Sequence, residues 1–194
     1  RIVHSAEMLD RKSLASVGDT TGERLTALLT ETKAHTPEEL AANVARIGEL
    51  LGRFALYVPA RFTDDPAEQA KYWAVRSGIF PAVGGSRPAG TTCLSEDVAF
   101  HIEDLPRATA ELQALIARHG YDACIYGHAL EDNYHFIINQ SFSPPAEVAR
   151  YEALMNDVAE LVSAGTTARS KPSMARGATW RPSSAASRAT TPWP

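Results

Sequence analysis

The stretch Tyr126-Gly-His-Ala-Leu-Glu-Asp-Asn-Tyr-His-Phe136 constrains this chain most. An apolar run, Ala123-Cys-Ile-Tyr126, leads in, and an alternating run, His135-Phe-Ile-Ile-Asn139, leads out. Two strand-like runs joined by a short polar loop read as a hairpin. Hairpin strands are antiparallel, which argues against a purely parallel α/β sheet. The hairpin also sets His128, at the end of one strand, against His135, at the start of the next. Neutral imidazole nitrogen is a common metal ligand, so the pair could share a metal. The spacing itself is not a standard metal motif, and idle solvated histidines are the plainer reading of it.

Around the hairpin, strand and helix signals alternate. Arg24 to Thr32 is apolar and β-prone and predicts a strand. Thr36-Pro37-Glu38-Glu39 is a helix start: Thr36 caps, Pro37 suits the first helical position and Glu39 completes a capping box. Leu40, Val44, Ile47 and Leu51 then share one face, and Gly52 fits the stop. Phe54 to Val58 predicts a second strand, continuing toward Phe62. Asp65-Pro66-Ala67-Glu68 opens another helix, running to about Ser77. A Gly/Pro-rich loop follows from Gly78 to Gly90, of a kind often functional in compact domains. Thr91 to Phe100 predicts a strand interrupted by Glu96 and Asp97, which read as its wet face. Asp104-Leu105-Pro106 starts a helix with Ala108, Leu112, Leu115 and Ile116 inward, ending at Gly120. Ser143-Pro144-Pro145 opens a last helix with Val148, Tyr151, Leu154, Val158 and Leu161 inward. Residues 1–22 have no clear signal and read as a lead-in. The expected class is α+β: a ferredoxin-like antiparallel sheet with helices on one face, over residues 23–162.

Composition removes some alternatives. With 194 residues, 44% of them hydrophobic and 22% charged, the chain has enough apolar material for one domain with a core. A net charge of −4 gives no electrostatic reason to expect nucleic acid or an anionic membrane as partner. No apolar run approaches a membrane span and no signal peptide is visible. Cys93 and Cys124 both lie in apolar runs and read as core thiols of a reducing compartment.

After Leu161 the composition shifts to Ser, Thr, Ala, Arg and Pro without periodicity, and residues 163–194 are expected to be a disordered tail. With ordinary GC-rich codons assigned to Thr166 through Ser184, reading one nucleotide earlier yields Tyr-Asp-Gly-Ser-Leu-Lys-Ala-Glu-His-Gly-Thr-Gly. Met174 and Trp180 have unique codons, and both fit. The tail is therefore expected to be out of frame from about Val162–Ala164.

Gly127-His128-Ala129, Asn133 and His135 together resemble the Gly-His-x-Gly-Asp-Gly-Asn-x-His signature of FAD-linked oxidases. These belong to the vanillyl-alcohol-oxidase-like group, which includes D-lactate and D-2-hydroxyglutarate dehydrogenases. The signature lies in their C-terminal, substrate-capping domain. The shifted string Ala-Glu-His-Gly-Thr-Gly resembles the second signature of the same family. Arg61-Phe-Thr-Asp-Asp-Pro66, Gly78-Ile-Phe-Pro-Ala-Val-Gly84, Gly90-Thr-Thr92 and Glu96-Asp-Val-Ala-Phe100 are similar to the Fe–S-fused, respiratory D-lactate dehydrogenase branch.

The resemblance implies hydride transfer from a D-2-hydroxy acid to FAD, with the flavin held mainly by a domain absent from this chain. It implies a divalent metal, zinc or manganese, at His128 and His135. It implies Asn133 as an orienting residue behind the ligands, and Arg76, in a Trp-x-x-Arg helix, against the substrate carboxylate. Guanidinium suits that task because its fork donates two parallel hydrogen bonds. In the full-length parent it further implies an Fe–S cluster and a respiratory-chain electron acceptor, in the cytoplasm or peripheral at the inner membrane. The chain departs from the pattern at Asp132, which stands where the signature has Gly. At positive φ, Asp is tolerated there at about 1 kcal/mol. The Glu ligand and the general-base His of the second signature are lost out of frame. Loss of a base slows proton removal by about 10²–10⁴-fold, so the fragment alone is expected to be inactive. Two rivals stand beside this reading: a stand-alone ferredoxin-like module that binds a metal or small acid, and a purely structural domain with buried or idle histidines.

Overall fold

In the computed structural model, which describes residues 2–19 and 25–166, the hairpin lies inside a five-stranded antiparallel sheet. The strands are β1 (Ser5–Leu9), β2 (Ala27–Glu31), β3 (Thr92–Ala99), β4 (Cys124–His128) and β5 (Asn133–Gln140). Their spatial order is β2-β1-β4-β5-β3, so only β2 and β3 are edges. The helices are α1 (Arg11–Ser16), α2 (Pro37–Leu51), α3 (Pro66–Gly85), α4 (Leu105–Arg118) and α5 (Pro145–Thr166). From β3 onward the order β-α-β-β-α, with β5 between β4 and β3, follows a ferredoxin-like unit. The α+β class expected from the sequence is the one found.

Strand alternation divides the side chains between two faces. One face carries Met8, Val98, Ile125, Tyr134, Phe136 and Ile138, which pack with α4 and α5 into the main core. Leu112, Phe136, Ile138 and Leu154 are fully buried there. The other face is not bare. Leu9, Cys124, Tyr126 and Ile137 pack against Leu14 of α1 and Ile79 and Val83 of α3 in a second, smaller core. Cys124 is buried and Cys93 half-buried, and both are free thiols.

Local signals explain most element starts. The Thr36 hydroxyl accepts from the Glu39 amide, and the Glu39 carboxylate accepts from the His35 amide, as in a capping box shifted by one residue. Asp65 caps α3 by accepting from the Ala67 amide, with Pro66 in the first helical turn. Asp10 caps α1 by accepting from the Ser13 amide.

Three expectations need correction. Residues 5–16, read as part of a lead-in, form β1 and α1, and β1 sits between β2 and β4. Phe54 to Val58 is not a strand. Phe54, Leu56, Tyr57 and Val58 are all exposed, because no neighbouring strand offers the segment a pleated surface to pack on. Residues 78–85, read as loop, continue α3 through Pro81 to Gly85. Proline in a helix interior costs about 3 kcal/mol. Burial of Ile79 and Val83, one turn apart on the second core, offsets it. Of the tail expected from residue 163, the first residues extend α5. Residues 167–194 lie outside the described residues, and all but the first few residues of the out-of-frame reading lie there with them.

Candidate functional site

The site is built on the second face of the sheet, beyond the end of the small core. Sheet register aligns two rows across it. Glu7, His128, Asn133 and Ala99 form one row, and Leu9, Tyr126, His135 and Asp97 form the next. All these side chains project to the same face, because each strand contributes residues two apart.

The hairpin turn is made by Ala129 to Asp132. The Glu131 amide donates to the His128 carbonyl, and Asp132 adopts φ 59°. The positive φ expected of the residue in the signature's Gly position is therefore present, occupied by Asp. Gly127 has φ 155°, and a Cβ there would stand 2.6 Å from the Asn133 carbonyl oxygen. Only glycine lets β4 and β5 approach this closely beside the histidines.

His128 and His135 face each other edge-on, with ring centroids 5.4 Å apart and an interplanar angle of 83°. Each ring is held at Nδ1 by a carboxylate. Glu7 Oε1 lies 2.5 Å from His128 Nδ1, and Asp97 pairs with His135 Nδ1. The second Glu7 oxygen, Oε2, accepts from Arg76 Nε at 2.8 Å. The Arg76 guanidinium also lies 4.6 Å from the centre of the Tyr126 ring, in cation–π geometry. Glu7 is thus the hub of the group, and its side chain is only 5% exposed. Burial by itself raises the Glu7 pKa. The hydrogen bonds and charges of Arg76 and His128 outweigh it, and the carboxyl sits below the ordinary glutamate range. Burial raises the Tyr126 phenol above its usual range, against the opposing charge of Arg76.

Arg76 comes from α3, one turn past Trp73. Glu7, Trp73, Arg76, Ser77 and His128 line a cleft of about 190 Å³. That suits a small organic acid better than a drug-sized ligand, whose sites run about 300–1,000 Å³. Arg76, His128, His135 and Asn133, singled out from the sequence, are brought to one face. Glu7, Asp97 and Tyr126 were missed as site residues. A Glu followed by Met and Leu in β1 carries no local motif, and Asp97 reads as a solvated strand residue. Neither reading can detect a partner far along the chain.

As a metal centre the donor set is incomplete. Two imidazoles make half of a tetrahedral set. Among the described residues, no group of three or more His, Cys, Asp or Glu side chains is placed to hold a metal ion. Also among the described residues, no helix is long and apolar enough to cross a membrane.

Comparison with known proteins bears on the whole arrangement. No curated protein sequence matches the chain. A matching solved structure is the 4-ethylphenol oxidase from Gulosibacter chungangensis in its isoeugenol complex, at 13% identity and a TM-score of 0.48. The match covers 83% of this chain and 37% of that one, so this chain spans well under half the length of that oxidase. A family model described as "FAD linked oxidases, C-terminal domain" matches residues 1–166, which takes in β1 and every other described element. The chain therefore belongs to the C-terminal domain family of the FAD-linked oxidases.

Proposed function

We propose that this domain holds a small D-2-hydroxy acid, of the D-lactate type, for oxidation by a flavin carried on another part of the enzyme. The observation that supports the reading is the meeting of Arg76 and His128 in one small cleft. Glu7 engages Arg76 through Nε, and the two terminal guanidinium nitrogens lie outside that bond, where a carboxylate would be met. His128 lines the cleft next to where the hydroxyl of such an acid would fall, and the His135 ring stands behind it with its centroid 5.4 Å away. Trp73 contributes an apolar wall, and the residue is more than a third exposed. Asn133, in the same sheet row as His128, is proposed to orient it from behind.

Bound flavin supplies the hydride acceptor for the α-carbon. A divalent cation, zinc or manganese, held with His128 and His135 as two of its ligands, would lower the pKa of the hydroxyl. The chain's own residues bind the carboxylate, orient the hydroxyl and hold its proton in hydrogen-bonding range. The respiratory D-lactate dehydrogenase branch, with its Fe–S cluster and its electron acceptor, is the finer proposal, resting on the sequence resemblance alone.

Calorimetric or NMR titration of the chain with D-lactate tests the reading. Arg76→Met is expected to weaken binding by ten-fold or more, in line with about 1.5–3 kcal/mol for a hydrogen bond to a charged group. Equal binding by wild type and variant would refute the assignment of Arg76. The same titration with zinc or manganese checks the histidine pair: binding that survives both His128→Ala and His135→Ala would remove the metal from the proposal.

A further inference from the structure

An arginine that must be ordered by its ligand binds weakly, because its long side chain gives up rotamer freedom in the act. Arg76 has given up that freedom already. It reaches from α3 onto the sheet, and its side chain is only 18% exposed. Two strands receive it there. From β1, Glu7 Oε2 accepts from Nε at 2.8 Å. From β4, the face of the Tyr126 ring lies with its centre 4.6 Å from the guanidinium carbon. Register pairs Leu9 with Tyr126 and Glu7 with His128, so Glu7 and Tyr126 stand diagonally adjacent on one face. The two contacts do different things. The hydrogen bond holds one edge of the guanidinium and leaves the rest free to swing about that bond. The ring stops the swing on its side, because a cation is drawn to the face of an aromatic ring. Tyr126 is itself buried in the small core with Leu9 and Ile137, so the ring does not yield.

From this geometry we infer that Tyr126 is a positioning residue: its ring, beneath the guanidinium that Glu7 holds at one edge, orders Arg76 before a carboxylate arrives. Tyr126 is not among the residues that line the cleft. It acts through Arg76, and the ring carries the role although the phenol hydroxyl also lies toward Arg76 and Ser95. The gain in acid affinity rests on the reading proposed above; the ordering of Arg76 does not. Glu7 touches His128 as well as Arg76, so the test is placed on Tyr126.

The first measurement needs no ligand. Solvent exchange of the Arg76 Nε–H is followed by NMR in the whole chain, the signal being assigned by its loss in Arg76→Met. Exchange is expected to be slow in wild type, faster in Tyr126→Leu and slow again in Tyr126→Phe, which keeps the ring. Exchange in Tyr126→Leu as slow as in wild type would overturn the proposal. Should Tyr126→Leu fail to fold, wild type decides: exchange as fast as in an unstructured arginine would overturn it. Titration with D-lactate is the second measurement. Tyr126→Leu is expected to weaken binding about five-fold, the order of a partly desolvated cation–π contact, and Tyr126→Phe to recover it. A loss in Tyr126→Phe equal to that in Tyr126→Leu would assign the role to the hydroxyl and overturn the ring. The Tyr126 ring also stands 5.3 Å from the His135 ring, and a double-mutant cycle separates that contact from Arg76. In the Arg76→Met background, Tyr126→Leu is expected to cost nothing further. The same loss in both backgrounds would show a role independent of Arg76 and overturn the proposal. Absence of D-lactate binding in wild type would overturn the acid-binding reading, and the exchange rates would still decide whether Tyr126 orders Arg76.

Discussion

A methyl group at position 127 has nowhere to go. It would meet the Asn133 carbonyl oxygen at 2.6 Å and the Tyr134 Cα at 2.8 Å, and both are backbone atoms of the paired strand. Relief requires parting β4 from β5 in the row that carries His128. Gly127→Ala is therefore expected to destabilise the domain by about 2–3 kcal/mol. Urea unfolding monitored by circular dichroism measures it; a change under about 0.5 kcal/mol would show that the strands can separate there without loss. Asp132, four residues after the first histidine, pays a smaller cost for the left-handed conformation that the turn demands. The Gly and His of the hairpin were legible as a motif. That Gly127 marks a close approach, and that Glu7 reaches His128, was not.

Elements differ in how firmly they are held. α4 places Leu105, Ala108, Leu112, Leu115 and Ile116 in the main core. α2 has an equally regular apolar spacing but buries only Ile47 among its residues. Native-state hydrogen exchange is therefore expected to be fast in α2 and slow in α4 and β5. Protection of α2 equal to that of α4 would show that it has a firm packing partner. Leu112→Ala, at a fully buried position, is expected to cost about 2–5 kcal/mol in the same unfolding experiment. Caps and apolar periods gave the extents of α2 and α4 to within about two residues. They failed at Phe54–Val58 and at residues 78–85 for opposite reasons. The first has strand-forming residues and no strand beside it. The second has a helix-breaking proline and a core for Ile79 and Val83 to enter.

At the scale of the molecule, two helical layers clasp the sheet, and charge ties one layer together. Asp157 of α5 bonds His119, at the end of α4, at 2.7 Å and Arg118 at 2.7 Å. The His119 hydrogen bond, then Arg118, holds the Asp157 carboxyl below the ordinary aspartate range. A depressed carboxyl adds stability above its unfolded pKa of about 3.9, and that stability is lost as pH falls through the folded value. Asp157→Asn is thus expected to lower the melting temperature at neutral pH, with the gap to wild type closing below about pH 4. Thermal melts of both chains across that range check it, and a gap that persists undiminished in acid would remove the ion pair as its cause.

The sequence by itself determined the class of fold, the hairpin with its two histidines and the family to which they point. Each of those rests on neighbours along the chain: alternation, caps, turn residues and a compact motif. Only the tertiary structure decided that the apparent lead-in is an inner strand, that α3 runs on through its proline, and that the site is organised on Glu7. The Glu7 bonds to Arg76 and His128 span 69 and 121 residues. Burial and sheet register bring such partners together, and no local propensity encodes a contact of that span.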